Sequence, residues 1–360
     1  MSQQPKSIVE VARAAGVSTA TVSRVMNGLP GVRAETVAQV RAAMLDLKYI
    51  RQRTRSTRRR SAPRPPKLRT GSIAVTTVGH GQSWLQMPVL ASVLGGIQRG
   101  ASSADLRLIL SEMPDATKPS QILVDRQVDG AVVFLSSDVP VADYESIFSM
   151  MQAYTPVVWA MGIGSAVGGV DHVAPDNVGI GHMAYKSLRD MGCKRFAYLT
   201  TTPGWPLMRL RGQSFLNSAI DEGHQPTVYA VAGSDEDRLV EPYGRRVVVA
   251  DRLEETVRKF AESDPRPDGL FIGRDFTTAN VYPLLAQHGL VVGRDLQIIS
   301  CDAEEARLAG LHPRPASIDL GGEEIGYRCV ARLLNRIERP NGPPLIIQVA
   351  PRLRLPPGAA

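Results

Sequence analysis

The hydrophobic positions change rhythm twice along the chain. Between Ser7 and Leu47 they recur at the spacing of an amphipathic helix, over 51–70 they almost vanish, and from Ser72 short apolar runs alternate with helical stretches. The last pattern predicts buried parallel strands in βαβ units at 72–78, 106–112, 130–135, 156–161, 195–201, 269–273 and 297–302, with helices such as 88–104 and 176–191 between them. Such a doubly wound sheet binds ligands beyond the carboxyl ends of its strands, so polar residues just after strands carry most weight.

The first pattern predicts three short helices. "SIVEVARAAGVSTATVSRVMNG" opens with a capping box of Ser7 and Glu10, and a helix runs to Ala15. Gly16 permits a sharp turn, and Ser18 caps a second helix with Val22, Val25 and Met26 on one face. A third helix, Ala34 to Lys48, carries Val37, Val40, Met44 and Leu47 as a brace. Ile8, Val11 and Ala12 can pack on Val17 and Val22, which leaves Thr19, Ala20, Ser23 and Arg24 outward. Short residues at a helix start with an Arg one turn later suit entry into a major groove, where the guanidinium reads guanine. On helix pattern alone a three-helix protein-interaction module remains the alternative.

Charge changes the balance between those readings. Net charge is +7, but residues 1–70 carry fifteen Lys and Arg against three acids, so the head is +12 and the remainder −5. A basic head on an acidic body points to a polyanion, with nucleic acid first and an anionic membrane second. The membrane reading weakens because no long apolar window and no apolar export signal is present, so the chain is expected in the cytoplasm.

Enzyme classes find little support. "TVGHGQSW" after the first strand lacks the third glycine of a dinucleotide fingerprint, and neither a phosphate-binding Gly-Lys loop nor a nucleophile elbow occurs. The six histidines show no metal or catalytic spacing, and Cys193, Cys301 and Cys329 form no disulfide or zinc pattern. The expectation is a protein without enzymatic activity, cofactor or metal.

"VARAAGVSTATVSRVMNG" followed by "GVRAETVAQVRAAMLDLKY" resembles the DNA-binding head of the lactose-repressor (LacI) family. The resemblance extends more loosely through "VDGAVVF", "TPVVWAMG", "RLRGQSF" and "LFIGRD" to the effector domain shared with periplasmic sugar-binding proteins. It implies an all-α helix-turn-helix head over 1–50, a hinge or linker over 51–70, and an α/β effector and dimerisation domain over 71–356. That domain would have two subdomains, 71–162 plus 318–342 and 163–317 plus 343–356, with crossings near 161–163, 317 and 343.

By the same resemblance Thr19, Ala20 and Arg24 read bases, while Ser7, Thr21, Ser23 and Asn27 contact or orient the phosphate backbone. The family's hinge usually carries a Leu that wedges a minor-groove base step. Here that position is Arg58, and the segment 51–69 holds nine basic residues and no acid. A guanidinium replaces stacking poorly but suits the negative potential of a narrow minor groove. Arg55, Arg58, Arg59 and Arg60 are therefore expected to form a basic arm, with Pro63, Pro65 and Pro66 forbidding a helix beyond it. A purely solvated tether is the alternative.

For the effector site the resemblance assigns Arg209, Asp302, Asp275 and Asp176. An Arg with facing carboxylates suits vicinal hydroxyls, which implies a sugar or sugar derivative. The family's Asn before Asp275 is Arg274, which would suit an acidic or phosphorylated ligand, and Trp84 could stack on a sugar ring or cover the cleft. The resemblance implies a homodimeric transcriptional regulator, a repressor, on a pseudo-palindromic double-stranded DNA operator. Helix 88–104 and Val281, Leu284 and Leu285 are candidates for the dimer face or for ordinary core. The rival readings are an exported sugar-binding protein, which the head and missing export signal oppose, and a ligand-independent regulator with a degenerate cleft.

Overall fold

The computed structural model describes residues 7–26, 31–47, 68–79, 88–136, 139–163, 167, 169–231, 238–240, 246–248 and 250–358. The chain divides into two compact units, Met1–Arg64 and Pro65–Ala360.

In the first unit α1 (Ile8–Ala14), α2 (Thr19–Met26) and α3 (Ala34–Asp46) enclose a small core of Val11, Ala12, Val22, Val40 and Ala43. The Ser7 backbone N–H donates to Glu10 Oε2 at 2.6 Å and the Ser7 hydroxyl accepts from the Glu10 N–H, completing the capping box. Gly16 at φ +63° makes the turn that a side chain would strain. Ala43, absent from the expected brace, fills the core where Met44 and Leu47 only border it, because a small residue lets α3 approach closely.

The second unit contains, in order, β1 (Ser72–Val78), α4 (Pro88–Ser103), β2 (Arg107–Met113), α5 (Gln121–Val124), β3 (Gly130–Leu135), α6 (Tyr144–Gln152), β4 (Val157–Ala160) and β5 (Asp171–Pro175). Then follow α7 (Asn177–Asp190), β6 (Phe196–Thr200), α8 (Pro206–Asp221), β7 (Thr227–Ala230), β8 (Arg238–Val240), β9 (Arg246–Val248), α9 (Ala250–Ala261), β10 (Gly269–Ile272) and α10 (Asp275–Gln287). The chain closes with β11 (Gln297–Cys301), α11 (Glu305–Leu308), β12 (Ala316–Asp319), α12 (Gly322–Glu338), β13 (Ile346–Val349) and β14 (Arg352–Arg354). Two six-stranded sheets result, β13-β5-β4-β3-β1-β2 and β14-β12-β11-β10-β6-β7. Every pairing within them is parallel except β12 with β14.

Strand order moves the expected crossings. β5 lies in the first sheet between β4 and β13, so the chain first leaves that sheet at Asp176, not at 161–163. The return follows β12 at 320–321 rather than 317, and the last crossing follows β13 at 350–351 rather than 343. β5 was hidden because it opens with Asp171, a residue foreign to strand interiors. Asp171 is tolerated there because Arg332 Nη2 and Arg336 Nε reach its carboxylate at 2.8 and 2.6 Å and the Leu345 N–H donates at 2.7 Å. Burial works to raise this carboxyl, but the bonds from Arg336 and Arg332 outweigh it and hold the group below the ordinary range. The three crossings adjoin: the Asp176 N–H donates to the Val349 carbonyl at 2.9 Å, and a Cβ on Gly321 would stand 2.8 Å from Val349 Cγ1.

Glycines set the helix layers. In α4, a Cβ on Gly96 would lie 1.9 Å from the Glu323 carbonyl oxygen, and in α12 a Cβ on Gly326 would lie 1.9 Å from that of Val93. The two backbones therefore touch. Val281 and Leu285 of α10 are buried in the core of the second sheet, which settles them as core and not as a dimer face. Among the described residues no helix is long and apolar enough to cross a membrane.

Candidate DNA-reading helix and effector cleft

On the head, Thr19, Ala20 and Arg24 are exposed on α2, while Thr21 and Ser23 are half-buried. The Ser18 hydroxyl caps this helix, accepting from the Thr21 N–H at 3.1 Å and meeting the Thr21 hydroxyl at 2.9 Å. Ser7 and Thr21 thus already hold helix ends in place. Asn27, Trp84, Arg55, Arg58, Arg59 and Arg60 lie outside the described residues.

Within the body, a cleft of about 80 Å³ is lined from both subdomains: Phe134, Tyr144, Trp159 and Met161 on one side, and Trp205, Met208, Arg211, Arg274, Asp302 and Glu304 on the other. Arg211 reaches it because α7 and α8 are in backbone contact, a Cβ on Gly181 falling 2.2 Å from the Arg211 carbonyl oxygen. Its Nε donates to Asn177 Oδ1 at 2.9 Å, and its Nη1 donates to the Gly273 carbonyl at 2.6 Å and to Asp302 Oδ1 at 3.2 Å. Both side chains of this pair are almost fully buried.

Asp302 stands on a strained turn, with φ +112° there and +53° at Ala303. Asp275 holds that turn from beneath. Its carboxylate accepts the Glu304 N–H at 2.6 Å, the Ser317 hydroxyl at 2.8 Å and the Ser300 hydroxyl. Burial, with the neighbouring Asp302, pushes Asp275 up to about 7. Burial also raises Asp302 against the opposing pull of Arg211 and Arg274. Glu304 is raised by burial and then by Asp302, although Arg307 bonds to it directly. Arg274 differs from the other cations here. Its guanidinium lies 5.8 Å from the Trp205 ring centroid and 6.0 Å from that of Phe276, and among the described residues it forms no ion pair.

Two expected residues lie elsewhere. Arg209 is exposed and lines a separate surface groove with Thr200, Pro203 and Leu210. Two residues along a helix is more than half a turn, so Arg209 and Arg211 face apart. Arg211 keeps helical step with the buried Leu207, Phe215 and Ala219, a charged residue at a core position, and that was the readable signal. Asp176 caps α7 by accepting the Gly179 N–H at 2.8 Å and does not line the cleft. Trp159, packed in the core against Tyr144 and Phe148, and Trp205 both border the cleft. Asp302 and Glu304 also border a wider groove of about 960 Å³ that runs past Asp319, Gly321 and Arg352.

Comparison with known proteins bears on both units. Residues 7–52 match the model of bacterial regulatory proteins of the lacI family, and residues 185–355 match a periplasmic binding protein-like domain. The head is therefore a LacI-family DNA-binding domain and the body a periplasmic-binding-protein-like domain, and the relatives it matches are LacI-family regulators. With those two domains it is a DNA-binding transcriptional regulator with an effector domain. It is 28% identical over 344 residues to catabolite control protein A of Priestia megaterium, covering 91% of this chain and 92% of that one. It is 24% identical over 354 residues to the ribose operon repressor of Escherichia coli K12, covering 96% and 97%. The fold matches the transcriptional regulator CelR in complex with cellobiose at a TM-score of 0.61 and 20% identity, covering 97% and 98%. It matches the lac repressor dimer bound to operator and an anti-inducer at 0.60 and 18%, with the same coverage.

Proposed function

We propose that this LacI-family protein is a repressor that binds a pseudo-palindromic operator as a homodimer, and that a small molecule in the body's cleft controls its affinity for DNA. Thr19, Ala20 and Arg24 read bases, Ser23 and Asn27 face phosphates, and Arg55, Arg58, Arg59 and Arg60 reach the minor groove. The exposed, acid-free face of α2 supports the first part, since Thr19, Ala20 and Arg24 project together from its surface. The protein acts in the cytoplasm, without enzymatic activity of its own.

The observation that carries ligand control is the buried Arg211–Asp302 pair in a cleft walled by both subdomains. A molecule seated on that pair touches both halves at once, so it acts on the angle between them. CelR is described in complex with cellobiose, which supports a sugar or sugar derivative as the effector class. Asp275 orders the turn beneath rather than touching the ligand, and Asp176 caps α7.

A second reading, a ligand-independent regulator, draws on the size of the cleft. About 80 Å³ is well below the roughly 300 Å³ at the lower end of ligand pockets. Selection of random duplexes by the full-length protein, followed by binding of the selected duplex with and without a panel of sugars, separates the readings. Ligand control requires a compound that changes affinity in the native protein and not in Asp302→Asn. Arg24→Ala should change the selected sequence, whereas an unchanged selection removes Arg24 from base reading.

A further inference from the structure

We infer that the cleft selects an aromatic carboxylate, with Arg274 as the residue that holds its anionic group. This rests on the reading of the cleft as a ligand site and departs from the sugar class that the CelR complex suggests for its occupant.

Charge balance in the wall carries the argument. Asp302 is matched by Arg211 and Glu304 by Arg307, each in direct contact. Arg274 lines the same cleft and has no ion pair among the described residues. Asp302 and Glu304 attract it without touching it, so a neutral ligand would close over a guanidinium with no bonded counter-charge, and confining such a charge is costly. A carboxylate removes that cost through charge-assisted, paired hydrogen bonds. The rings of Trp205 and Phe276 lie near the guanidinium and meet it by cation–π attraction, an interaction that uses its face and leaves N–H edges for a planar acceptor.

The remainder of the wall argues against a polyol. Arg211 already commits Nε and Nη1 to Asn177, Gly273 and Asp302, which leaves at most its Nη2 group for a ligand. Phe134, Met161, Met208 and Leu320 add side chains with no hydrogen-bonding hydroxyl or amide. A sugar carries hydroxyls around its ring, and each one buried without a partner is penalised. An aromatic acid has one polar end and an apolar body, matching one unpaired cation and an apolar wall. At about 80 Å³ the space is smaller than the ~150 Å³ that accommodates benzene in an apolar cavity, so binding also widens the cleft.

The test uses the full-length protein in thermal-shift and tryptophan-fluorescence titrations with 4-hydroxybenzoate, its neutral methyl ester, glucose 6-phosphate and cellobiose. The inference expects saturable stabilisation by 4-hydroxybenzoate, weakened about ten-fold or more by esterification and by Arg274→Gln. Arg274→Lys, which keeps the charge, should retain part of the binding, and the ligand-free melting temperature of each variant reports whether it is folded. If cellobiose binds, and Arg274→Gln leaves that binding unchanged, the inference is overturned while the cleft reading stands. A preference for glucose 6-phosphate over the aromatic acid keeps the role of Arg274 but overturns the aromatic ligand. Silence from all four compounds overturns the inference and counts against the cleft reading as well.

Discussion

Arg211 and Asp302 meet at 3.2 Å with their side chains 3% and 8% exposed, the most enclosed ion pair facing the cleft. Removing one member of a buried pair leaves the other uncompensated, a loss of about 3–5 kcal/mol, whereas replacing both with apolar residues costs far less. Urea unfolding of Asp302→Ala should show that loss, and Arg211→Met combined with Asp302→Leu should recover much of it. Equal stability of the single variant and the native protein would mean that the pair is solvated.

Asp275 gives the body an acid-stabilised element. Its carboxyl is pushed up to about 7 from the ordinary 3.8, so between those values the folded state keeps a proton that the unfolded chain has released. The stability it contributes is fully present below about pH 4 and is lost as pH rises through about 7. Asp275→Asn, which cannot ionise, should flatten the decline between pH 5 and 8 in a series of urea titrations. An identical slope in the variant would assign the decline to other groups.

Helix contact predicts opposite effects from neighbouring glycines. Gly96→Ala places a methyl 1.9 Å from the Glu323 carbonyl oxygen and should destabilise by about 1–3 kcal/mol or more. Gly95→Ala meets nothing within 4 Å on the same helix and should be neutral or gain up to about 1 kcal/mol from helix propensity. Thermal unfolding of the two variants side by side decides it, and similar melting temperatures would disprove the backbone contact.

The basic arm predicts a salt effect. Replacing Arg55, Arg58, Arg59 and Arg60 with Ser should lower operator affinity and flatten its dependence on salt, each lost phosphate contact reducing the slope by about one. Affinities measured across a salt series would reduce the segment to a tether if neither quantity moves.

Legibility followed continuous apolar sequence. β1 and β3 were readable to the residue because helices cover both faces of their sheet and force continuous apolar runs. β5 was not, since Asp171 and His172 open it and the arginines that neutralise Asp171 lie over 150 residues downstream in the sequence. β7 and β13 were missed as edge strands with exposed side chains, which carry no core signal. In the head, the capping box and turn glycine made α1 and α2 local decisions, and Ala43 was overlooked because its value lies in being small. At the cleft, Asp302, expected by resemblance, lines the wall after β11, whereas Arg209 points elsewhere because of helix phase. Arg211, unlike Arg209, shares its face with Phe215.

The joint between the subdomains limits how they can move. Its three chain segments are one or two residues long and adjoin at Asp176, Gly321 and Val349. Segments that short cannot extend, so they oppose sliding one half past the other and favour swinging about their common line. The body is built to open like a book with its spine at Val349.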